Sequence, residues 1–349
     1  MMIARHVRKL EGYTPGEQPK NKNVVKLNTN ENAYPPSPKC AAVLKSFDLD
    51  RLRRYCDPDC TALRQELARI NRTTPDRIFV GNGSDEILAL AAKAFVENDE
   101  AIGSLDPSYS LYKTLAAIRD VKWSGCNPME DPSAPDALRR KRISLFLLTN
   151  PNAPTGEWRE PAAVAAFAKK FSGVVVVDEA YADFARGNCM ALATAPKNRN
   201  VIVMRTFSKS YSLAGLRVGY CVGPKPLVDA LYRIKDSYNV DAIAQAVALA
   251  AAKDQAWMRA NVEKIVRTRT RFVAELERRG WNVIPSESNF VFARPAHRPA
   301  AEIFDALRRR NIFVRYFRGP KTGDRLRVTI GTDAQMKKLL KAIDELDFH

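Results

Sequence analysis

The sequence predicts an α/β protein in which mostly parallel strands alternate with crossover helices. From about residue 60 onward, short runs rich in β-branched residues alternate with amphipathic stretches of helical length. Several of these runs are apolar throughout, which is typical of strands covered by helices on both faces. A second, shorter series of strand and helix patterns near the C-terminus predicts a smaller α/β unit.

Six candidate strands form the first and larger unit. They comprise residues 77–80, 101–105, 143–148, 174–178, 201–207 and 217–222. The first 40 residues are instead irregular and rich in Pro, Gly, Asn and Lys, so they predict an extended arm.

The second half of the chain contains a long helical tract. Residues 226–280 hold alanine-rich and charged helix-forming segments without a strong β run, which predicts helices that bridge the two units. The smaller unit then combines strands at 289–293, 312–315 and 325–330 with helices at 300–310 and 333–346.

Composition narrows the class of protein. A chain of 349 residues with 46% hydrophobic residues can bury one large core or two unequal ones. Its apolar runs are too short to cross a bilayer and its N-terminus lacks an export signal, so we expect a cytoplasmic protein without membrane contact. Six scattered cysteines without a Cys-x-x-Cys pair and three histidines predict neither disulfides nor a metal site.

The net charge of +17 raises the question of nucleic-acid binding. The basic residues are dispersed, however, and the two densest clusters, at 139–142 and 308–310, are short. This distribution favours solvated faces and predicts no nucleic-acid partner. An anionic small substrate is compatible with the same charge.

The segment Thr206-Phe207-Ser208-Lys209-Ser210 follows an apolar strand and precedes Arg217. In open α/β sheets, ligands bind at such strand ends. A lysine there can form an imine with an aldehyde cofactor, while Thr206, Ser208 and Arg217 can hold a phosphate. The alternative is a solvated lysine in a serine-rich loop, and this motif alone does not separate the two.

Asp178 ends the apolar run 174–177, and Tyr181 lies three residues beyond it. A carboxylate at the end of a buried strand is costly unless it meets a cation. A protonated pyridine nitrogen would be such a cation, and Tyr181 would reach the phenolic oxygen of the same ring. The alternative is an aspartate that caps the following segment.

Three further segments are weak signals when taken singly. Residues 81–86, Gly-Asn-Gly-Ser-Asp-Glu, form a turn that leads into a helix and presents N–H groups to an anion, or else an ordinary helix cap. Residues 150–156 are a proline-rich turn after a strand. Tyr109 offers a face that can stack on a flat ring, although core packing is the commoner role.

In combination these motifs resemble fold-type I pyridoxal-phosphate enzymes, and among them the class II histidinol-phosphate aminotransferase family. The resemblance runs almost end to end, through residues 13–17, 27–32, 54–55, 81–86, 107–109, 154–156, 178–181, 208–209, 217, 289–290 and 326–331. It implies a large domain at 41–245, with a mostly parallel seven-stranded sheet between helices, and a smaller α/β domain at 246–349. The arm at 1–40 would complete the small domain and the active site.

The resemblance also implies a role for each site residue. Lys209 would be the Schiff-base lysine and proton carrier, Asp178 would pair with the pyridine nitrogen, Tyr181 would contact the phenolic oxygen and Tyr109 would stack on the ring. The implied phosphate ligands are Ser84, Asp85, Thr206, Ser208 and Arg217, with Tyr55 from the second subunit of a homodimer. The implied substrate-binding residues are Tyr13, Arg315 and Arg327.

One position departs from the family pattern. Ala153 stands immediately before Pro-Thr-Gly, where the family usually has an asparagine that bonds the phenolic oxygen. Asn152 or Asn150 would then substitute after a local shift, or Tyr181 would act alone.

The expected reaction is transamination of histidinol phosphate with 2-oxoglutarate, which yields imidazole acetol phosphate and glutamate in histidine biosynthesis. Similar enzymes act on aromatic amino acids or decarboxylate threonine phosphate, so both activities remain alternatives. The arm pattern at 12–17 favours the histidinol-phosphate branch. A regulator built on this fold would need a DNA-binding domain, for which the arm is too short and too rich in proline.

Overall fold

The computed structural model describes residues 2–4, 6–10, 16–20, 23–130 and 134–347. Its strands, in chain order, are β1 Val25–Lys26, β2 Ile78–Gly81, β3 Ala101–Ser104, β4 Lys122–Gly125, β5 Ile143–Thr149, β6 Val174–Asp178, β7 Val201–Thr206, β8 Gly219–Val222, β9 Asn282–Ile284, β10 Phe290–Arg294, β11 Ile312–Phe313, β12 Arg315–Tyr316 and β13 Leu326–Thr329.

The helices alternate with these strands over most of the chain. They are α1 Pro38–Lys45, α2 Thr61–Asn71, α3 Gly83–Ala94, α4 Leu111–Ile118, α5 Ala134–Arg140, α6 Pro161–Lys170, α7 Met190–Thr194, α8 Lys225–Ile234, α9 Ala242–Ala252, α10 Gln255–Arg278, α11 Ala300–Arg309 and α12 Asp333–Asp347. None of those described is long and apolar enough to cross a membrane.

The larger sheet has seven strands in the order β2-β8-β7-β6-β5-β3-β4. β8 runs antiparallel to both of its neighbours, and the remaining pairs are parallel. This arrangement confirms the predicted mostly parallel sheet. All six predicted strands are present, and the seventh, β4, escaped prediction because its sequence Lys-Trp-Ser-Gly is polar and lies at the sheet edge.

Both faces of this sheet are buried, as the apolar runs predicted. Along β6, Val175 and Val177 pack into one core cluster and Val176 into a second cluster on the opposite face. Successive side chains point to opposite faces of a strand, so a continuous valine run is what two helical layers require. The ends of β5, β6 and β7 thereby meet at one edge, where Thr149 is opposite Asp178.

The smaller sheet is antiparallel, in the order β12-β13-β10-β9, and the arm strand β1 pairs in parallel with β11 beside it. The strands predicted at 289–293 and 325–330 are present as β10 and β13, whereas the single strand predicted at 312–315 is two short strands in different sheets, β11 and β12. The three-residue β9 was not predicted. The predicted helical tract consists of three helices, α8, α9 and the 24-residue α10.

Candidate active site

A cavity of about 500 Å³ lies where the strand ends of the seven-stranded sheet face the four-stranded sheet. The size suits a cofactor together with a small substrate. Most of the predicted site residues line it: Ser84, Asp85, Tyr109, Asp178, Tyr181, Thr206, Ser208, Lys209, Arg217, Arg315 and Arg327.

Lys209 lies in the turn that follows β7. Its Nζ is 5.7 Å from the centroid of the Tyr181 ring and donates a long hydrogen bond, 3.4 Å, to the carbonyl oxygen of Thr29. Burial, together with the nearby guanidinium groups of Arg327 and Arg217, lowers the pKa of Lys209 to about 8. About a tenth of the amine is therefore neutral at pH 7, and only the neutral amine is a nucleophile or a base.

Asp178 is the last residue of β6 and is almost completely buried. Its hydrogen-bond donors are both neutral: the Tyr112 hydroxyl at 2.7 Å and the Ala180 N–H at 3.1 Å. Burial raises the pKa of this carboxyl to about 6, and the two donors counteract part of that rise. A buried carboxylate of this kind gains most from a cation placed in the cavity.

Tyr181 follows Asp178 by three residues and presents its hydroxyl to the cavity. The side-chain amide of Asn30 donates to this hydroxyl at 3.0 Å, and the ring packs edge-on against Phe290 at 5.0 Å. Burial raises the pKa of Tyr181, whereas Arg327 and the Asn30 hydrogen bond lower it. Because Asn30 donates to the oxygen, the phenolic proton stays available for an acceptor in the cavity.

The N-terminus of α3 and Arg217 form the other end of the cavity. Gly83 has φ of +78°, and a Cβ on it would lie 2.6 Å from Nη2 of Arg217. The Arg217 guanidinium donates to Asp85 at 3.2 Å and to the Ser208 hydroxyl at 3.4 Å. Helix N–H groups, hydroxyls and a guanidinium are the donors that hold a phosphate dianion.

These observations allow a test of whether pyridoxal phosphate suits the residues present. The donor set around Arg217 matches its phosphate, and the buried Asp178 carboxylate matches a protonated ring nitrogen. Between them, Lys209 carries an amine with a lowered pKa. The residues therefore fit the cofactor at its phosphate, at its ring nitrogen and at its aldehyde.

Arg315 and Arg327 come from the smaller sheet and face the same cavity. They are directly opposite each other on β12 and β13. The Phe317 ring separates them, 5.2 Å from the Arg315 guanidinium and 5.1 Å from that of Arg327. Like charges in directly opposed positions repel, so an anion bound between them would relieve a cost that the fold already carries.

A buried ion-pair network stabilises the turn after β7, which carries Lys209. Glu179 is fully buried and accepts from Arg205 at 2.9 and 3.1 Å, while Arg205 is also 3.5 Å from Asp183. Asp183 in turn accepts a hydrogen bond from Ser210, the residue after Lys209. The network therefore links the turn after Asp178 to the turn that carries Lys209.

Among the described residues, two predicted site residues, Asn152 and Tyr55, do not line the cavity. Asn152 has its amide committed elsewhere, with Nδ2 donating to Pro107 O and Thr155 Oγ1 at 3.0 Å and Oδ1 accepting from Ser108. Tyr55 is 83% exposed and stacks on Tyr238 with 4.3 Å between ring centroids. Tyr13 lies outside the described residues.

Several cavity residues escaped the sequence reasoning. Asn30, Phe317 and Arg318 line the cavity, and Tyr112 lies directly behind Asp178. Asn30 belongs to a segment that the resemblance had singled out only as a motif, at residues 27–32. The others carry no local signal, because their partners come from distant parts of the chain.

Comparison with known proteins agrees with this geometry. Residues 22–343 match the family model for class I and II aminotransferases. The chain is 42% identical over 345 residues to histidinol-phosphate aminotransferase of Syntrophotalea carbinolica, covering 99% of both chains. It is 43% identical over 350 residues to histidinol-phosphate aminotransferase 1 of Bradyrhizobium diazoefficiens, covering 97% of both.

A solved structure gives the same result for the fold. The crystal structure of histidinol-phosphate aminotransferase from Sinorhizobium meliloti in complex with pyridoxal-5'-phosphate matches with a TM-score of 0.89. The two chains are 26% identical, and the match covers 99% of this chain and 98% of that one. Fold and cavity thus define a class I and II aminotransferase.

The chain belongs to this class and, by its similarity over nearly the whole length, to the histidinol-phosphate aminotransferase family. The family resemblance found in the motifs is thereby confirmed.

Proposed function

We propose that this chain is a pyridoxal-phosphate-dependent aminotransferase that transfers the amino group of histidinol phosphate to 2-oxoglutarate. The products are imidazole acetol phosphate and glutamate, which is a step of histidine biosynthesis. The observation that carries the proposal is one cavity that combines the Lys209 amine and the Asp178 carboxylate with the opposed Arg315 and Arg327.

Besides Lys209, the chain would hold pyridoxal phosphate at two places. Arg217, Ser84, Ser208, Thr206 and the first turn of α3 would bind its phosphate, and Asp178 its ring nitrogen. Asn152 is left out of this set, because its amide donates to Pro107 O and to Thr155 Oγ1. When bound, the cofactor supplies an aldehyde for amine exchange and a ring that delocalises the electron pair left by removal of the α-proton.

Lys209 is the residue that exchanges with the substrate amine and then moves the α-proton. Its lowered pKa provides the neutral amine that both tasks require, and the turn after β7 keeps it in the cavity. Asp178 stabilises a positive charge on the ring nitrogen. Tyr181 would donate a hydrogen bond to the phenolic oxygen, with Asn30 fixing the direction of its hydroxyl.

Arg315 and Arg327 bind the anionic end of each substrate. Histidinol phosphate has a phosphate and no α-carboxylate, whereas 2-oxoglutarate has two carboxylates. A pair of guanidinium groups forms bidentate hydrogen bonds with either kind of anion, so the same two side chains serve both half-reactions. Tyr109, whose hydroxyl donates to Asp85 at 3.4 Å, would cover one face of the ring.

Assembly and location belong to the same proposal. The predicted arm, large domain and small domain would form one subunit of a homodimer, and Tyr55 would reach the cofactor phosphate of the partner subunit. Its exposure and that of Leu49 and Leu52 in the same segment support this role. The six cysteines are free thiols, which fits the predicted cytoplasmic location.

A half-reaction screen tests the substrate directly. The purified holoenzyme is mixed with histidinol phosphate, phenylalanine, tyrosine or threonine phosphate, and the visible absorbance of the cofactor is followed. We expect histidinol phosphate to react with the highest kcat/KM and 2-oxoglutarate to restore the spectrum. Faster reaction with an aromatic amino acid, or release of carbon dioxide from threonine phosphate, would assign the chain to one of the alternative activities.

A further inference from the structure

Tyr112 is a completely buried tyrosine on α4 whose hydroxyl is directed at the active-site carboxylate. Its Oη lies 2.7 Å from Oδ2 of Asp178 and 2.6 Å from Oγ1 of Thr149. Thr149 is the last residue of β5 and is itself fully buried. These three polar groups therefore form a chain of hydrogen bonds beneath the cavity.

The direction of each hydrogen bond follows from the number of protons available. Ionised Asp178 only accepts, so the single phenolic proton of Tyr112 points to the carboxylate. Thr149 must then donate to the Tyr112 oxygen. Ser108, 3.3 Å from Thr149, donates instead to Oδ1 of Asn152 at 3.0 Å. While Asp178 is ionised, the chain of donors thus runs from Thr149 through Tyr112 to Asp178.

We propose that Tyr112 is a positioning residue for this reaction: aligned by Thr149, it holds Asp178 as an ionised and oriented carboxylate for the cofactor's ring nitrogen. The inference rests on the proposed function, since it assumes that pyridoxal phosphate occupies the cavity. It adds a residue that acts through Asp178 and does not itself reach substrate.

The balance of charges around Asp178 explains why such a residue is needed. Burial favours the neutral acid, and the Asp85 carboxylate acts in the same direction. The Tyr112 hydroxyl, the Ala180 N–H and the Lys209 ammonium oppose it. The charge of Lys209 would vary with its protonation and bonding, whereas the Tyr112 hydroxyl is fixed at 2.7 Å and favours the ionised form throughout.

Substitution of Tyr112 by phenylalanine tests the proposal with little change in packing. Cofactor labelled with ¹⁵N at the ring is bound to the wild-type and Tyr112→Phe proteins, and the ¹⁵N chemical shift is followed against pH. We expect the ring nitrogen of the variant to lose its proton at a pH about one to two units lower than in the wild type. We also expect kcat to fall about 10- to 100-fold with little change in KM.

Matched variants separate positioning from packing. Tyr232→Phe removes a partly buried hydroxyl whose contact, Ile78 O at 3.4 Å, lies outside the cavity, so the ¹⁵N titration should stay as in the wild type. Thr149→Val removes the donor to Tyr112 and should shift the titration in the same direction by less, whereas Thr149→Ser should restore it. The Thr149 pair decides the question if Tyr112→Phe does not fold.

The same measurements distinguish a failure of the Tyr112 proposal from a failure of the proposed function. A wild-type protein that binds no pyridoxal phosphate would overturn the proposed function. If the wild type binds the cofactor but Tyr112→Phe and Thr149→Val titrate as the wild type does, the proposed role of Tyr112 is wrong. The proposed function is then unaffected.

Discussion

Two buried ionisable side chains give the cavity its chemistry, because burial moves their pKa values toward each other. The pKa of Lys209 falls to about 8 and that of Asp178 rises to about 6. Burial disfavours the charged form of each group, which lowers the pKa of an amine and raises that of an acid. Shifts of this kind mark functional sites, since they store free energy that a bound partner recovers.

The lowered pKa of Lys209 makes the stability of the cofactor-free protein depend on pH. Lys209 has a pKa of about 8 in the folded chain and 10.5 as its ordinary value, so between these values the unfolded chain holds a proton that the folded chain lacks. Stability therefore rises with pH in this window. Lys209→Met removes the effect, and we expect the cofactor-free variant to be more stable than the wild type at pH 7.

The stability difference should then narrow by roughly 1 kcal/mol between pH 7 and pH 9. Urea denaturation of both cofactor-free proteins at the two pH values measures it. The exposed Lys170 provides a control, since Lys170→Met should give a difference that does not vary with pH. A constant difference for Lys209→Met would contradict the account of this lysine.

Substitution of Arg327 should weaken substrate binding. Lysine keeps the charge but not the planar fork, so Arg327→Lys should lower kcat/KM for histidinol phosphate by about 30- to 150-fold, mainly through KM. Arg325→Lys is the matched control, because Arg325 bonds to Asn282 and does not line the cavity. Equal losses in the two variants would argue against a specific contact between Arg327 and the substrate.

Among single residues, those that follow a strand end could be predicted from the sequence. Residues that contact the site from a distant part of the chain could not. Lys209 and Asp178 stand beside apolar runs, so their positions were predictable. Asn30 bonds to Tyr181, which is 151 positions away in the sequence, and Tyr112 bonds to Asp178, which is 66 positions away. Asn152 shows the converse, because it follows a strand end but its amide forms structural hydrogen bonds to Pro107 O and Thr155 Oγ1.

Among the elements, the start of α3 depends on a glycine. Gly83 has a positive φ and lies against Arg217, so Gly83→Ala should add about 1 kcal/mol of backbone strain and displace the guanidinium. We expect affinity for pyridoxal phosphate to fall at least about tenfold. Spectrophotometric titration of the cofactor-free protein measures this affinity.

Gly215 supplies the control for that experiment. It lies in the neighbouring turn, and a Cβ on it would meet nothing within 4 Å. Gly215→Ala should therefore bind the cofactor as the wild type does. Unchanged affinity in Gly83→Ala would show that the close approach of α3 to Arg217 is not needed.

Strands that are buried on both faces were the most predictable elements. Runs such as Val174–Asp178 are apolar throughout, which indicates a central strand without any knowledge of its neighbours. The polar edge strand β4 gives no such pattern. The antiparallel direction of β8 also had no local signal, because it depends on how the chain crosses the sheet after the lysine turn.

For the whole molecule, the segment around Tyr55 predicts an assembly. Tyr55, Leu49 and Leu52 are more than half exposed, which is unusual for side chains of this size so close together. A homodimer of the 39.1 kDa chain would cover them. Sedimentation should accordingly give twice the mass of the chain.

Mixing two inactive variants tests whether Tyr55 acts across the interface. Tyr55→Ala and Lys209→Ala, each with low activity alone, are unfolded together in equal amounts and refolded. Random pairing makes about half of the dimers mixed, with one chain of each variant. If Tyr55 serves the partner's site, each mixed dimer has one intact site. Activity should then recover to about a quarter of the wild-type value. Mixtures that stay inactive would place Tyr55 outside the partner's site.

The central claim is that Lys209 is the residue that bonds to the cofactor. The most direct test is borohydride reduction of the holoenzyme, followed by proteolysis and mass spectrometry of the peptides. We expect one pyridoxyl phosphate per chain, on the peptide that contains Lys209, and no label in Lys209→Ala. Label on a different lysine, or equal labelling of Lys209→Ala, would contradict it.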